Sequence, residues 1–543
     1  MSAPADIAVS ASRRWFARLL PWLAGLAQAF SIASPWNGQP QWWLQLASLG
    51  LLVWLLDRQR AGRDPLAWRG AAYSAWAFAT AWLCGSTWWL YVSMHTYGGL
   101  AAPLAGLATF LLSAALSLYY GLAGALYARW APSKLLPAAL LFAALWTLAE
   151  LLRNSLFTGF PWGAGGYAHL DGPLIAFARN VGVYGIGALA AVLAALLARV
   201  PGLNPRRKRA WALPILLAAF LLYAGSTSRC LATDCKPTGG NASAGRIDVA
   251  LLQGNIPQDE KFIPGGGIAV ALRWYGEQLM ANRAPLVITP ETALPLLPSQ
   301  LPTGYLDAIA SRYSRGSQAA IVGLPLGAGR DYTNSVLGFA PGRAGPYRYD
   351  KAHLVPFGEF VPSMFRWFTN LMNIPLGDFR SGGLAQPGFE WQGQRIAPNI
   401  CYEDLFGDEI GANFRDEAKA PTVLLNVSNI AWFGDTVAID QHRGISRMRA
   451  IEFERPMVRA TNTGATMVID HRGRVTHELP RMTRGVLEAQ VEGRTGLTPY
   501  ARWVSKYGLW PIWIGALSIV AATLAGRLRA RRLQQASRAA SPD

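Results

Sequence analysis

Apolar residues gather in two different patterns along the chain. Long runs with few polar interruptions occupy roughly 19–33, 42–56, 70–93, 100–128, 135–151, 174–198 and 210–226, and one more lies at 507–526. They are apolar all round, unlike the one-sided helices that cover a soluble core. A bilayer core takes about 20 mostly apolar residues per helix, so these runs predict eight membrane spans, the first two of them short. Between 245 and 495 the apolar runs are short and stop at turn or polar residues. "RIDVALLQGNI" (246–256), "APLVITPE" (284–291), "AAIVGLPLG" (319–327), "RIAPNIC" (395–401), "PTVLLNVSN" (421–429) and "ATMVID" (465–470) predict buried strands. Segments 267–282 and 441–454 predict helices, the second with basic and acidic faces. Strands alternating with helices predict a layered α/β fold for this region.

Charge orients the pattern. The 543 residues are 52% hydrophobic and 15% charged, with a net charge of +18. Residues 1–227 hold 16 Lys/Arg against 5 Asp/Glu, and the tail 527–543 holds 5 Arg against 1 Asp. The basic excess therefore flanks the apolar runs instead of coating a polar domain, which argues against nucleic acid as a partner. Arg13, Arg14 and Arg18 precede the first run, Arg58, Arg60, Arg63 and Arg69 follow the second, Arg129 and Lys134 follow the fourth, and "RRKR" (206–209) follows the sixth. The alternate loops "SPWNGQPQ" (34–41) and "MHTYGGL" (94–100) carry no Lys or Arg, and the one after the fifth run has only Arg153 and Arg179 near its ends. Basic loops stay on the cytoplasmic side, so both termini are expected inside and the segment from about 228 to 506 outside. The expected organisation is a membrane domain over 1–227, an extracytoplasmic α/β domain over 228–506, an eighth span over 507–526 and a basic cytoplasmic tail over 527–543. The head "RRWFARLLPWLAGLAQA" has the layout of a cleavable signal peptide, with retention expected; cleavage would not change the parity of the remaining spans.

The chemistry sits at strand ends. Of the four cysteines, Cys84 lies within a span, and Cys230 and Cys235 ("CLATDC") could close a short disulfide loop in an oxidising compartment. Cys401 is left without a partner, which marks it for attention outside the cytoplasm. Glu403, Asp404, Asp408 and Glu409 follow it closely, and nearby carboxylates raise a thiol's pKa unless a cation opposes them. Glu291 and Cys401 each stand where an apolar strand stops, where ligand-facing residues of α/β sheets tend to lie. Between them, "YDKAHLVPFGEFVP" (349–362) supplies the cation Lys351 and a further acid, Glu359. A cysteine beside an ammonium and a carboxylate can ionise and attack a carbonyl.

The order Glu–Lys–Cys in "TPETALP", "YDKAHLVPFGEFVP" and "NICYED" resembles the carbon–nitrogen hydrolase (nitrilase) superfamily. The whole chain is similar to the bacterial apolipoprotein N-acyltransferase family, through "FTGFPWGAGGYAHLDGP" (157–173), "LLQGNIPQ" (251–258), "NVSNIAWFGD" (426–435) and "RATNTGATMVID" (459–470). The resemblance implies an α-helical transmembrane bundle of seven plus one spans carrying a nitrilase-like α/β-β/α sandwich, in the bacterial inner membrane with the catalytic domain on the periplasmic side. It implies transfer of an acyl chain from a membrane phospholipid to the α-amino group of a lipoprotein's diacylglyceryl-modified cysteine, without cofactor or metal. Cys401 would be the nucleophile and Glu291 the base. Lys351, with the backbone N–H of Tyr402, would stabilise the oxyanion. Glu359 would support the lysine, Glu403 would orient it, and Asp408 and Glu409 would be solvated. Two departures from the family pattern stand out: Ile430 where Asp is common, and Phe262 where Trp is common.

Three further features bear on substrate. "FVPSMFRWFTNLMNIPLGDF" (360–379) is rich in large apolar side chains and turn residues, as expected of a flap lying on the membrane or over an acyl chain, and 431–440 resembles a second such loop. Glu150 and Arg153, three apart on one helix, are either functional or a mutually neutralising pair. Two rivals remain: a membrane-tethered amidase or nitrilase that hands its acyl group to water, and a transporter with an extracytoplasmic sensor domain.

Overall fold

The computed structural model describes residues 4–61, 66–200, 212–232, 242–328, 331–361 and 379–539. Two units divide the chain: a helical unit of Met1–Trp88, Pro103–Thr233 and Leu509–Asp543, and a sheet unit of Trp89–Ala102 and Asp234–Gly508.

In the helical unit each expected apolar run becomes helix: Pro4–Ile32, Trp42–Ala61, Ala67–Thr87, Ala102–Leu116 continued by Leu118–Trp130, Leu135–Ser155, Ala178–Leu197, Ala212–Ala232 and Trp510–Ala539. Among the described residues, four stretches are long and apolar enough to cross a membrane: 102–130, 135–158, 173–197 and 510–537. Small residues let these helices approach closely; a Cβ added to Gly124 would fall 2.6 Å from that of Ala75. An aromatic cluster fills the gap left by such close backbones, with Trp82 stacked on Trp146 at 5.7 Å and edge-on to Tyr120 at 5.3 Å. The third run, expected to reach 93, is broken at Trp88 and Trp89 and resumes as helix over Leu90–Val92 and a π-helical turn over Ser93–Tyr97. From Trp89 the chain belongs to the sheet unit, where the Trp89 ring lies 4.1 Å from that of Phe433 and its N–H donates to Gln441 at 3.0 Å.

The sheet unit holds two six-stranded sheets. Its strands are β1 Ser243–Gln253, β2 Leu286–Ile288, β3 Ala319–Ala328, β4 Asp331–Phe339, β5 Tyr347–Asp350, β6 Phe389–Trp391, β7 Gln394–Ile400, β8 Val423–Ser428, β9 Met457–Thr461, β10 Met467–Ile469, β11 Val475–Glu478 and β12 Gly485–Arg494. The sheet orders are β12-β1-β2-β3-β4-β5 and β11-β10-β9-β8-β7-β6. Each has a parallel centre, β1-β2-β3 and β7-β8-β9, flanked by antiparallel strands. The sheets face one another across one core, where Leu251, Ile288 and Ile321 meet Ile400, Leu425 and Val458. On its other face the first sheet buries Val287 and Val322 against Tyr275 and Leu279 of helix Gly267–Ala281 and Tyr313 of helix Tyr305–Arg315. Central strands covered on both faces read as unbroken apolar runs, which is why β2, β7 and β8 were visible in the sequence.

Helix Val437–Phe453 packs on β9 and β10. Part of its charge is buried: Arg449 and Glu452 form an ion pair at 3.0 Å with neither side chain exposed, while Asp440, Arg443 and Arg447 are half-buried. Residues 362–378 of the expected flap lie outside the described residues, as do Cys235 and the side chain of Cys230. The flap's flanks are joined, since the N–H of Phe379 donates to the Glu359 carbonyl at 2.9 Å.

Candidate active site

Strand ends from both sheets bring together one cluster of polar side chains, each on a residue just past its strand. Cys401 directly follows β7, Asn429 follows β8, Lys351 follows β5, and Glu291 stands three residues beyond β2. Glu291 and Lys351 come from one sheet and Cys401 and Asn429 from the other, so neither sheet alone makes the site.

Lys351 is almost fully buried, its Nζ 2.8 Å from Glu359 Oε1 and 3.5 Å from Glu291 Oε1. The Asn334 amide, on β4, bridges the two acids, donating to Glu291 Oε1 at 2.7 Å and Glu359 Oε1 at 2.8 Å. The other Glu291 oxygen accepts the backbone N–H of Asn429 at 2.7 Å. Burial alone would raise the Glu291 carboxyl, but Lys351, Asn334, Lys261 and the Asn429 N–H outweigh it and hold it below its ordinary value. Lys351 is held protonated: burial works against its charge, and Glu359 and Glu291 more than offset that.

Cys401 has a left-handed backbone, φ 56°, which a non-glycine residue adopts at a cost of about 1–3 kcal/mol. The turn is held from both sides. Asn426 donates its amide to the Cys401 carbonyl at 3.1 Å, and a Glu403 oxygen accepts the N–H of Ile400. The thiol is pushed up to about 12, first by burial and then by Glu291, with Lys351 pulling the other way. The resting pair is therefore a protonated thiol and an ionised carboxylate, the arrangement a nucleophile and its base require before attack.

Of the acids that follow Cys401, Glu403, Asp404 and Glu409 are engaged by other partners. Glu403 was expected to orient Lys351 itself; instead it grips backbone on both sides of the site, accepting the N–H groups of Ala352 at 2.6 Å and His353 at 3.1 Å and the Tyr349 hydroxyl at 2.9 Å. One carboxylate thus ties the Cys401 turn to the Lys351 loop. Asp404 takes the imidazole of His442 at 2.8 Å, the hydroxyl of Ser446 at 2.6 Å and Arg459 at 3.3 Å. Glu409, expected in solvent, lies 2.8 Å from His353 Nδ1, and burial pushes the Asp408 carboxyl up to about 6. Tyr402 is buried, its ring against Phe406 at 5.3 Å and His353 at 5.7 Å.

All six site residues expected from sequence are thus buried or half-buried in one region, and Glu291, Lys351 and Glu359 form one hydrogen-bonded group with Asn334. Sequence reading missed Asn334, Asn429, Lys261 and the His442–Arg459 pair. Only Asn429 left a signal, as the polar residue ending a buried strand. Ile430 is 1% exposed, so the apolar side chain suits its site better than the carboxylate common there. Glu150 and Arg153 do not pair with one another. Glu150 accepts the Gly165 N–H at 2.8 Å, while Arg153 donates to the carbonyls of Phe160 and Trp162, each at 2.7 Å.

Residues 12–196 match the apolipoprotein N-acyltransferase N-terminal domain family, and residues 248–500 match the carbon-nitrogen hydrolase family. An apolipoprotein N-acyltransferase of Verminephrobacter eiseniae is 58% identical over 502 residues, covering 90% of this chain and 93% of that one. Another, of Ralstonia nicotianae, is 44% identical over 529 residues, covering 96% of each. Among solved structures, a CN-hydrolase superfamily protein of Xanthomonas campestris covers 46% of this chain and 91% of its own, at 21% identity and a TM-score of 0.34.

Proposed function

The chain belongs to the apolipoprotein N-acyltransferase family, and from that premise we propose that it takes an acyl chain from a membrane phospholipid, holds it as a thioester on Cys401, and passes it to the α-amino group of a lipoprotein's S-diacylglyceryl-cysteine. It is an acyltransferase and a membrane protein. The observation that carries the reading of its site is the meeting of Glu291, Lys351 and Cys401 at strand ends from two facing sheets.

In the first half-reaction the Cys401 sulfur attacks the ester carbonyl carbon while its proton passes to Glu291. Lys351 and the Tyr402 N–H stabilise the oxyanion. The carbon–oxygen bond then breaks, and Glu291 returns the proton to the departing lysophospholipid. In the second, the lipoprotein amine attacks the thioester, Glu291 takes the amine proton, and the carbon–sulfur bond breaks to restore the thiol. Positioned proton transfer contributes about 10²–10⁴ in rate. Glu359 keeps Lys351 in place, and Glu403 holds the two loops in register. The eight helices span the membrane with both termini cytoplasmic, placing the sheet unit on the periplasmic side, consistent with Arg-rich loops on one side only.

Incubating the purified protein with phospholipid, then with a diacylglyceryl-cysteine peptide, tests this. Mass spectrometry should find an acyl adduct on Cys401 that moves to the peptide amine. Release of free fatty acid with no acylated peptide would instead identify a hydrolase.

A further inference from the structure

The proposed mechanism leaves unused a buried cation, Lys261, beside its base. Lys261 lies in the loop between β1 and helix Gly267–Ala281, and it is 2% exposed. Its Nζ donates to the Glu291 carbonyl at 3.4 Å and sits 5.8 Å from the centre of the Phe262 ring. The loop around it is rigidly set. The Glu260 carbonyl accepts the N–H groups of Ile263 at 2.8 Å and Gly267 at 3.1 Å, and a Cβ on Gly267 would fall 2.4 Å from that same oxygen. Gln258 accepts the Asn429 amide at 2.8 Å, and the Asn429 backbone N–H is the one held by Glu291. Lys261 is therefore fixed to the base by its own bond and through its loop.

Charge balance says what such a lysine does. Glu291, Glu359, Lys351 and the Cys401 thiol together carry one net negative charge, and moving the Cys401 proton to Glu291 leaves that total of four groups unchanged. A buried site with an uncompensated negative charge opposes a thiolate. We propose that Lys261 is a positioning residue that balances this charge, keeping Glu291 ionised at rest and supporting the negative charge that develops at Cys401. The inference rests on the reading of Cys401 as nucleophile. Its surroundings agree: Glu291 and Cys401 are the charged or ionisable groups that favour its cationic form, against a burial that pushes it down to about 8. The acids of its own loop, Asp259 and Glu260, do not share its burial.

The test is alkylation of Cys401 by iodoacetamide between about pH 6 and 10 in full-length protein in detergent, read on the Cys401 peptide by mass spectrometry. At neutral pH, Lys261→Met should slow alkylation about tenfold or more, the equivalent of one pKa unit on the thiol, while Lys261→Arg stays within about threefold of wild type. The wild-type profile should also bend near pH 8 as Lys261 loses its proton, and the bend should vanish in Lys261→Met. Superimposed profiles for a folded Lys261→Met and wild type overturn the proposal. Should Lys261→Met not fold, a wild-type profile without the bend overturns it equally. No lipid or acceptor enters this assay, so failure of acyl transfer with a normal alkylation profile counts against the proposed function alone.

Discussion

Two buried polar clusters, one in each unit, use the same residue types to opposite ends. In the helical unit Glu150 and Arg153 are one turn apart and both nearly inaccessible, yet each bonds to the backbone of the 160–165 loop instead of to the other. In the sheet unit Glu291 and Glu359 converge on Lys351, and the thiol of Cys401 feels all three charges. A carboxylate that caps backbone amides is spent on holding a loop. Glu291 has both oxygens hydrogen-bonded as well, but it shares the Lys351 cation with a second acid, so its ionisation is tied to the charge that the thiol feels. Glu403 stands between these cases, a backbone clamp placed inside a reactive site. The comparison teaches that burial and ionisability do not distinguish chemistry from support; the partners do.

The sharpest way to break the contrast is to remove the sulfur. Cys401→Ala should abolish both the acyl adduct and peptide acylation, a loss of about 10⁴-fold or more in the transfer assay. Glu291→Gln should follow at about 10²–10⁴ in kcat with KM little changed, since only proton transfer is lost. Retention of more than a tenth of wild-type kcat would remove Glu291 from the role of base.

Glu403→Gln tests the intermediate case and should act mainly on stability, costing about 1–3 kcal/mol because an amide cannot accept from all the donors around it. It also carries a pH signature. Burial holds the Glu403 carboxyl up to about 7, so in the folded state it keeps a proton that the unfolded chain releases above its ordinary value of about 4.3. The folded state then binds more protons across that window, and the contribution of this group to stability falls as pH rises from about 4 to about 7. Thermal unfolding of Glu403→Gln across that range should show a flatter slope than wild type; an unchanged slope would mean Glu403 does not titrate there. Smallest of all, Glu150→Gln should lower the melting temperature in detergent yet leave the iodoacetamide rate at Cys401 within about twofold. A tenfold loss at Cys401 would erase the distinction between the two clusters.

Much of this was legible before any coordinates. Cys401 and Glu291 stood out because a charged or reactive residue at the end of an apolar run is a local signal, and Lys351 because the loop between them supplied the cation that the thiol lacked. Asn334 gave no such signal: it lies in β4, a strand whose polar interruptions hide its pattern, and its value comes only from the two acids it bridges. Helix Val437–Phe453 was legible as a helix, but the burial of its Arg449–Glu452 pair was not, because a charged residue carries no local sign of which element covers it.

Sequence by itself determined which segments are membrane-like, where β1, β2, β3, β7, β8 and β10 lie, and which of their ends bear reactive groups, since apolar runs and their boundaries depend on neighbours a few residues away. The tertiary structure alone decided which carboxylate faces which cation, that Glu403 clamps backbone, that Trp89 joins the sheet unit, and that Lys261 reaches Glu291. Those outcomes depend on contacts between residues tens to hundreds of positions apart, which come together only when the two sheets close on their shared core.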